Sequence, residues 1–224
     1  MRAFLPLCAL MVACTSGSGD PAIPLPGSGN TGGDEEYPAP PYTVTTKGGL
    51  IEPLEFLGYA RPADGLGNPV TIKLAELFNP TGEGTYAAGS PFGEGEPKPS
   101  VLVISVAGVW CSPCKYEADV VLPEKYEAFH SRGLEIFGLL ADGQTPVAAG
   151  GEPATIEELE TWIETFDSPY PSVLEPLPRP LAVPFGTALP GNLIIDTKTM
   201  TIRERIAGQP TEGFWLQVEE LLRP

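Results

Sequence analysis

Two cysteines that are separated by two residues are the part of this sequence best suited to chemistry. Trp110–Cys114 reads Trp-Cys-Ser-Pro-Cys and follows a long apolar run. Only a thiolate attacks a disulfide, so a catalytic cysteine needs a lowered pKa and an exposed sulfur. A strand that runs into a helix at this point would provide both, because the free backbone N–H groups and the dipole of the first helical turn stabilise an anion at Cys111.

The same spacing lets the two sulfurs bond to each other. Residues three apart on a helix share a face, which brings Cys114 within disulfide distance of Cys111. Pro113 is tolerated between them because an early helical residue has no intrahelical acceptor for an N–H. The sequence therefore predicts a redox-active disulfide at this position, with no further cofactor.

The N-terminal residues read as an export signal. Residues 1–13 carry one positive charge, a short apolar run and a small residue before Cys14, as in a secretory signal peptide. Met11–Cys14 resembles a bacterial lipobox, which implies cleavage before Cys14 and a diacylglycerol on its sulfur. Because Thr15 rather than an aspartate follows, the resemblance also implies sorting to the outer membrane, with the protein facing the periplasm or the cell surface.

Removal of the signal and lipidation would leave one pair of free cysteines. Cys8 would leave with the signal and Cys14 would be blocked by lipid, so Cys111 and Cys114 would be the free cysteines of the mature chain. A disulfide between Cys111 and Cys114 would close too short a loop to stabilise the fold much. We therefore assign the pair a chemical role.

Composition separates a tether from a folded domain. Residues 14–41 are rich in Gly, Pro and Ser, which predicts a flexible tether, and residues 42–224 would form one domain. The chain carries 29 acidic and 13 basic residues, a formal charge of −16. Nucleic acid is therefore an unsuitable partner, and membrane attachment would need the lipid anchor rather than charge attraction.

The pattern after residue 100 predicts alternating strands and helices. Apolar runs predict strands at Val101–Val106 and Leu134–Leu140, and a capping-box pattern predicts a helix from Thr155 to Phe166. This order implies a parallel sheet. Further predicted elements are a helix after Cys114 that is kinked at Pro123, a strand at Ser172–Leu174, a hairpin of Leu193–Asp196 with Met200–Ile206, and a helix at Glu212–Leu222.

The apolar strand Val103–Val106 followed by Trp-Cys-Ser-Pro-Cys-Lys-Tyr-Glu at 110–117 resembles the thioredoxin superfamily, in its exported TlpA-like and ResA-like branch. The resemblance implies an α/β fold of three layers, with a central mixed sheet, helices on both faces and an N-terminal β-hairpin extension. It also implies that Cys111 attacks a partner disulfide, that Cys114 resolves the mixed disulfide, and that Trp110 covers the pair.

Two more positions follow from the resemblance. Glu117 would accept the proton that Cys114 must lose, although a solvated carboxylate near a helix start is an equally simple interpretation. Leu189 and Pro190 would lie beside Cys111 and contact substrate, with a cis bond at Pro190. Pro184 is the alternative cis position, and Gly191-Asn192 departs from the two threonines common in this branch.

These features favour a thiol-disulfide oxidoreductase of the bacterial envelope, in particular a reductase. Its partners would be protein dithiols and disulfides and an unidentified electron donor, and the protein would be a monomer. The alternatives are a peroxiredoxin-like peroxidase and a binding lipoprotein with an idle cysteine pair. No metal is expected, because the single histidine, His130, and two thiolates cannot complete a zinc site.

Overall fold

The computed structural model of the chain describes residues 36–44 and 46–223. The predicted signal peptide, the lipidation site at Cys14 and most of the predicted tether lie outside the described residues. Within the described part, no helix is both long enough and apolar enough to span a bilayer.

One mixed sheet organises the described residues. Its strands are β1 (Tyr42–Thr43), β2 (Leu50–Ile51), β3 (Glu55–Tyr59), β4 (Val70–Lys73), β5 (Val101–Gly108), β6 (Leu134–Asp142), β7 (Ser172–Leu174), β8 (Gly191–Asp196) and β9 (Thr201–Ala207). They lie in the order β1-β2-β9-β8-β5-β6-β7-β3-β4. The α-helices are α1 (Ser112–Tyr116), α2 (Leu122–Phe129), α3 (Ile156–Phe166) and α4 (Glu212–Leu221).

Strand β5 is the centre of the fold. It pairs in parallel with β6 and antiparallel with β8, and all eight of its residues are buried. Successive side chains of a strand point to opposite faces, so an apolar run can serve two cores. Leu102, Ile104 and Val106 pack into the core beneath α3, and Val101 and Val103 pack into the core beneath α2 and α4. The predicted three-layer α/β fold is confirmed.

The edges of the sheet also follow the prediction. Strands β6 and β7 are parallel, and β8 and β9 form the predicted antiparallel hairpin. The N-terminal hairpin of β3 and β4 extends the sheet beyond β7. Helix α3 begins with the predicted capping box, in which the Thr155 hydroxyl accepts from the N–H of Glu158 and the Glu158 carboxylate accepts from the N–H of Thr155.

The helix after the cysteine pair is irregular in the turn that precedes Pro123. A π-helical segment, Glu117–Val121, separates α1 from α2. Pro123 follows this segment, and because Val121 before it is itself helical, Pro123 removes a hydrogen bond from the interior of a continuing helix. The predicted interruption of the helix near Pro123 therefore takes the form of a π-turn that begins at Glu117. Such turns often mark functional positions in helices.

Candidate active site

Cys111 is the N-cap residue of α1. Its backbone is extended, and its Sγ accepts a hydrogen bond of 3.2 Å from the N–H of Cys114. The two sulfurs form a disulfide, with the Cα atoms 5.2 Å apart. The predicted pair thus lies where β5 gives way to a helix. The N–H group that faces the Cys111 sulfur would stabilise the thiolate after reduction.

The burial of the pair corrects one expectation. Cys111 was predicted to present an exposed sulfur, yet Cys111 and Cys114 are each only 1% exposed in this oxidised state. The physical reason is that the pair belongs to the large core cluster, together with Leu181, Phe185 and Leu189 from the segment before β8. An incoming protein thiol must therefore displace a neighbouring group before it reaches the disulfide.

Trp110 is one such neighbour and is held by a buried carboxylate. Its indole N–H donates a 3.0 Å hydrogen bond to Oδ2 of Asp142, which lies at the end of β6. The same Asp142 oxygen accepts from the N–H of Val147, and Asp142 also pairs with Arg179. Gly108 leaves room for the indole, because a Cβ there would lie 2.7 Å from its Nε1. The ring position thus depends on strand β6 and on Arg179.

Residues 175–189, here called the strap, connect β7 to β8. Glu175 fixes their path, because its carboxylate accepts from the N–H of Leu181 at 2.7 Å and from that of Ala182 at 3.3 Å. Burial raises the pKa of Glu175 to about 7, and these backbone bonds oppose the shift. A single buried side chain therefore orders the middle of the strap.

The C-terminal half of the strap lies on the start of β8. The ring of Phe185 occupies the space in which a Cβ on Gly191 would stand, since that atom would lie 2.5 Å from the ring. The Arg205 guanidinium lies 4.2 Å from the Phe185 ring centre and donates to the carbonyl of Pro184 at 2.8 Å. These contacts hold the strap closed beside the disulfide.

Leu189–Pro190 leads from the strap into β8, and its peptide bond is cis, as predicted. The alternative position, Pro184, is not cis. The carbonyl of Pro190 accepts from the N–H of Gly208 at 2.7 Å. The next residue, Gln209, donates its side-chain amide to the carbonyl of Pro113 at 3.2 Å. The turn at 208–209 therefore joins the cis-proline segment to the cysteine helix.

Glu117 is buried rather than solvated. It is 1% exposed, which rules out the interpretation as a surface carboxylate. Its backbone N–H donates to the carbonyl of Cys114. Its carboxylate accepts a hydrogen bond of 2.7 Å from the hydroxyl of Ser105 and one of 3.5 Å from the side-chain amide of Asn192. Burial raises the pKa of Glu117 to about 7, and the bonds from Ser105 and Asn192 lower it in part.

Sequence reasoning missed the partners of these acids, namely Ser105, Asp142, Glu175, Arg179 and Asn192. Ser105 could have been noticed in the sequence, because it is the one hydroxyl residue in an otherwise apolar strand. Asn192 left another, because it departs from the motif of the branch. The Asp142–Arg179 pair spans 37 residues and left no sequence pattern.

His130 lies at the far end of the helix that carries the pair, where its ring stacks on Tyr126 at 4.3 Å. Among residues 36–44 and 46–223, no three His, Cys, Asp or Glu side chains are grouped so that they could hold a metal ion.

The fold of this chain is similar to that of several solved structures. A putative thiol:disulfide interchange protein DsbE from Chlorobium tepidum aligns with 80% of this chain and 99% of its own, with a TM-score of 0.53 and 12% identity. The fold is thioredoxin-like. A thiol:disulfide interchange protein from Bacteroides sp. aligns with 80% of this chain and 92% of its own, with a TM-score of 0.50 and 17% identity. No protein-family model and no curated protein matches the sequence.

Proposed function

We propose that this protein is a thiol-disulfide oxidoreductase that exchanges disulfides with other proteins, in the direction of reduction. The observation that carries the proposal is the position of the Cys111–Cys114 disulfide, at a helix N-cap in a thioredoxin-like fold that also has a cis bond at Pro190. The activity in the names of the two aligned structures is the one proposed for this chain.

The reduced pair would act in two steps. The Cys111 thiolate attacks one sulfur of the partner disulfide, which forms a mixed disulfide and releases the other partner sulfur as a thiolate. The Cys114 thiol then loses its proton and attacks the Cys111 sulfur, which expels the second partner thiolate. The partner gains two electrons, the pair becomes the disulfide found in the structure, and an external dithiol reduces it again.

Glu117 is the proposed proton acceptor for the second step. A buried carboxyl with a pKa near 7 is ionised in part of the molecules at neutral pH and takes up a proton readily. Its burial, three residues after Cys114 in the chain, supports this role. Trp110, Leu189 and Pro190 would border the partner chain.

Access to the buried pair requires the partner to open the site. The strap carries two exposed apolar side chains, Leu177 at 76% and Val183 at 62% exposure, and α1 carries Tyr116 at 54%. A partner that binds these side chains gains apolar burial, which would offset the cost of displacing the strap. The proposed substrates are therefore proteins with a disulfide in an apolar setting.

The envelope is the proposed location. The secretory signal at residues 1–13 and the lipidation of Cys14 would export the chain and anchor it to the outer membrane, where the tether of residues 14–41 would let a monomeric domain reach its partners. Radiolabelled palmitate incorporation that disappears in Cys14→Ala, with the protein recovered in outer-membrane vesicles, would support this assignment. Recovery of unlabelled protein from the soluble fraction would contradict it.

Trapping is the decisive test of the activity. In the Cys114→Ala variant, mixed disulfides through Cys111 should accumulate with envelope proteins, and the double variant that also lacks Cys111 should trap none. The wild-type protein should reduce insulin in the presence of dithiothreitol. Absence of both trapping and insulin reduction would reject the proposal. Rapid peroxide consumption that requires Cys111 would favour the peroxidase instead, and no reaction at all would favour the binding lipoprotein.

A further inference from the structure

Arg179 is a buried residue of the strap that makes its ionic contact with strand β6. Its guanidinium bonds to the carboxylate of Asp142, and the two side chains are only 11% and 2% exposed. The backbone at Arg179 has a φ of 73°, a left-handed conformation that a residue with a Cβ seldom adopts. Such a conformation persists only where the surrounding contacts hold it, and it is frequent in switch regions. Arg179 therefore fastens the strap to the sheet.

Asp142 extends this contact to the residues that precede the cysteine pair. One carboxylate oxygen of Asp142 accepts from Arg179, and the other accepts from the indole N–H of Trp110 at 3.0 Å. The backbone carbonyl of Asp142 accepts from the N–H of Val109 at 2.9 Å. Val109 and Trp110 are the two residues directly before Cys111. Through Asp142, the strap is thus bonded to the segment that leads into the pair.

The contact between Arg179 and Asp142 is also what allows this carboxylate to stay buried. A charge that is removed from water is costly unless an opposite charge faces it, and in the described part of the chain Arg179 is the cation paired with Asp142. If the strap moved away with Arg179, the carboxylate would have to turn toward water, and its bond to the Trp110 indole would be lost. The buried Nε–H of Arg179, which has no hydrogen-bond partner while the strap is closed, would gain water.

The position of Arg179 in the strap connects it to the surface that a partner would bind. The exposed apolar residues Leu177 and Val183 lie two residues before it and four residues after it. The N–H of Val183 donates to the carbonyl of Arg179 at 3.2 Å. A partner that bound these two side chains and displaced the strap would therefore also move Arg179.

We propose that Arg179 is a positioning residue that couples the binding of a partner to the release of Trp110. With the strap closed, Arg179 holds the indole beside the pair through Asp142, and when a partner displaces the strap the indole becomes free to move. This inference rests on the proposed exchange function, since it concerns how a partner reaches Cys111. It narrows the substrates to proteins that contact the apolar residues of the strap as well as the disulfide.

Two-dimensional NMR of the tryptophan indole N–H groups tests the coupling on the oxidised full chain. The chain has three tryptophans, and Trp110→Phe identifies the Trp110 signal by its loss. In Arg179→Gln the Trp110 indole signal should shift and its proton should exchange with water about tenfold faster. The signals of Trp162 and Trp215 should stay in place. Arg179→Lys keeps the charge and should show a smaller effect, and an unchanged Trp110 signal in Arg179→Gln would overturn the proposal.

A double-mutant cycle separates the coupling from a strap that is merely loosened. The measured quantity is the rate at which dithiothreitol reduces the Cys111–Cys114 disulfide. Arg179→Gln should raise this rate about fivefold in the wild type but only about twofold in Trp110→Phe, which has no indole N–H to lose. Equal ratios in the two backgrounds would contradict the coupling. If Arg179→Gln does not fold, Arg179→Lys gives the same comparison with smaller ratios.

Insulin reduction is measured on the same proteins, so that the two proposals are judged separately. A wild type that reduces insulin while the two ratios are equal would reject only the role of Arg179. Unequal ratios in a protein that neither reduces insulin nor traps partners would reject only the exchange function. Arg203→Gln is the control, because this exposed arginine lies outside the strap, and it should change neither the Trp110 signal nor the rate of reduction.

Discussion

The hydroxyl of Ser105 donates a 2.7 Å hydrogen bond to the carboxylate of Glu117, and this bond joins the central strand to the helix that carries the cysteine pair. Asn192 reaches the other oxygen of the same carboxylate from the neighbouring strand β8. The carboxylate of Glu117 is therefore fixed from two strands, and its backbone begins the π-turn that follows directly after α1.

Replacing Glu117 should slow the resolving step. In Glu117→Gln the carboxylate that accepts the Cys114 proton is lost, so release of the partner should fall about 10²-fold while the initial attack by Cys111 is unchanged. The wild-type rate of release should rise with pH around 7, and the variant should lack this dependence. Stopped-flow tryptophan fluorescence with a model disulfide peptide measures both steps.

Glu124→Gln is the matched control, because Glu124 is on the same helix but 68% exposed. It should behave as the wild type does. A variant at Glu117 that keeps the wild-type pH profile would show that another group takes the proton.

The partners of Glu117 should set the pH at which it acts. Bonds from Ser105 and Asn192 favour the ionised carboxylate, so removing either raises the pKa of Glu117 further above its usual range. The midpoint of the release step should move to higher pH in Ser105→Ala and in Asn192→Ala, more so for Ser105, which contributes the larger effect. Both variants should fold, with a loss of about 1–3 kcal/mol. A midpoint that stays in place, or moves to lower pH, would contradict this assignment.

Loosening the strap should expose the disulfide. Arg205→Ala removes the cation over Phe185 and the bond to the carbonyl of Pro184, so the closed strap becomes less stable. We expect dithiothreitol to reduce the Cys111–Cys114 bond several times faster, because the open state is more populated by about 1 kcal/mol. Arg203→Ala is the control, since Arg203 is on the same strand and 49% exposed. Equal reduction rates in all three proteins would show that the strap does not limit access.

Buried acids should also make the protein less stable as pH rises. The folded-state pKa values of Glu117, Glu135 and Glu175 are raised to about 7, 8 and 7, above the ordinary value of 4.5. Between pH 4.5 and 8 the folded state binds more protons than the unfolded state, so the free energy of unfolding falls across this window and levels off above it. Urea unfolding at pH 5, 6, 7 and 8 measures the slope.

A variant with Glu135→Gln should lose about a third of the slope between pH 5 and 7 and most of it between pH 7 and 8, because the amide does not titrate. Stability that is constant or increases from pH 5 to 8 would mean that these carboxyl groups are not desolvated in the folded state.

The fold could be read from the sequence because its signals are local. The β-branched run at Val101–Val106 is typical of a central strand covered on both faces, and the Thr155 capping box predicted the start of α3 within one residue. The N-cap position of Cys111 and the cis bond at Pro190 followed from the motif and its order in the chain. Each of these depends on residues close together in sequence or on a known succession of elements.

The surroundings of the cysteines could not be read in the same way. Their burial depends on the strap, whose path is set by Glu175 and by Phe185 over Gly191. These contacts depend on close packing and on buried hydrogen bonds, and neither produces a periodic pattern in the sequence. The sequence shows that Glu117 follows Cys114 by three residues. It does not show the strand residues that hydrogen-bond to the Glu117 carboxylate, because Ser105 and Asn192 are 12 and 75 residues away in the chain.

Strands β5 and β6 are packed on both faces of the sheet, and β5 ends just before the cysteine pair. Successive side chains of β5 enter two different hydrophobic clusters, one on each face. Because neither cluster has room for a larger side chain, a change of volume in the middle of β5 would displace the strand itself. The N-terminus of α1, and with it Cys111, would move with that strand.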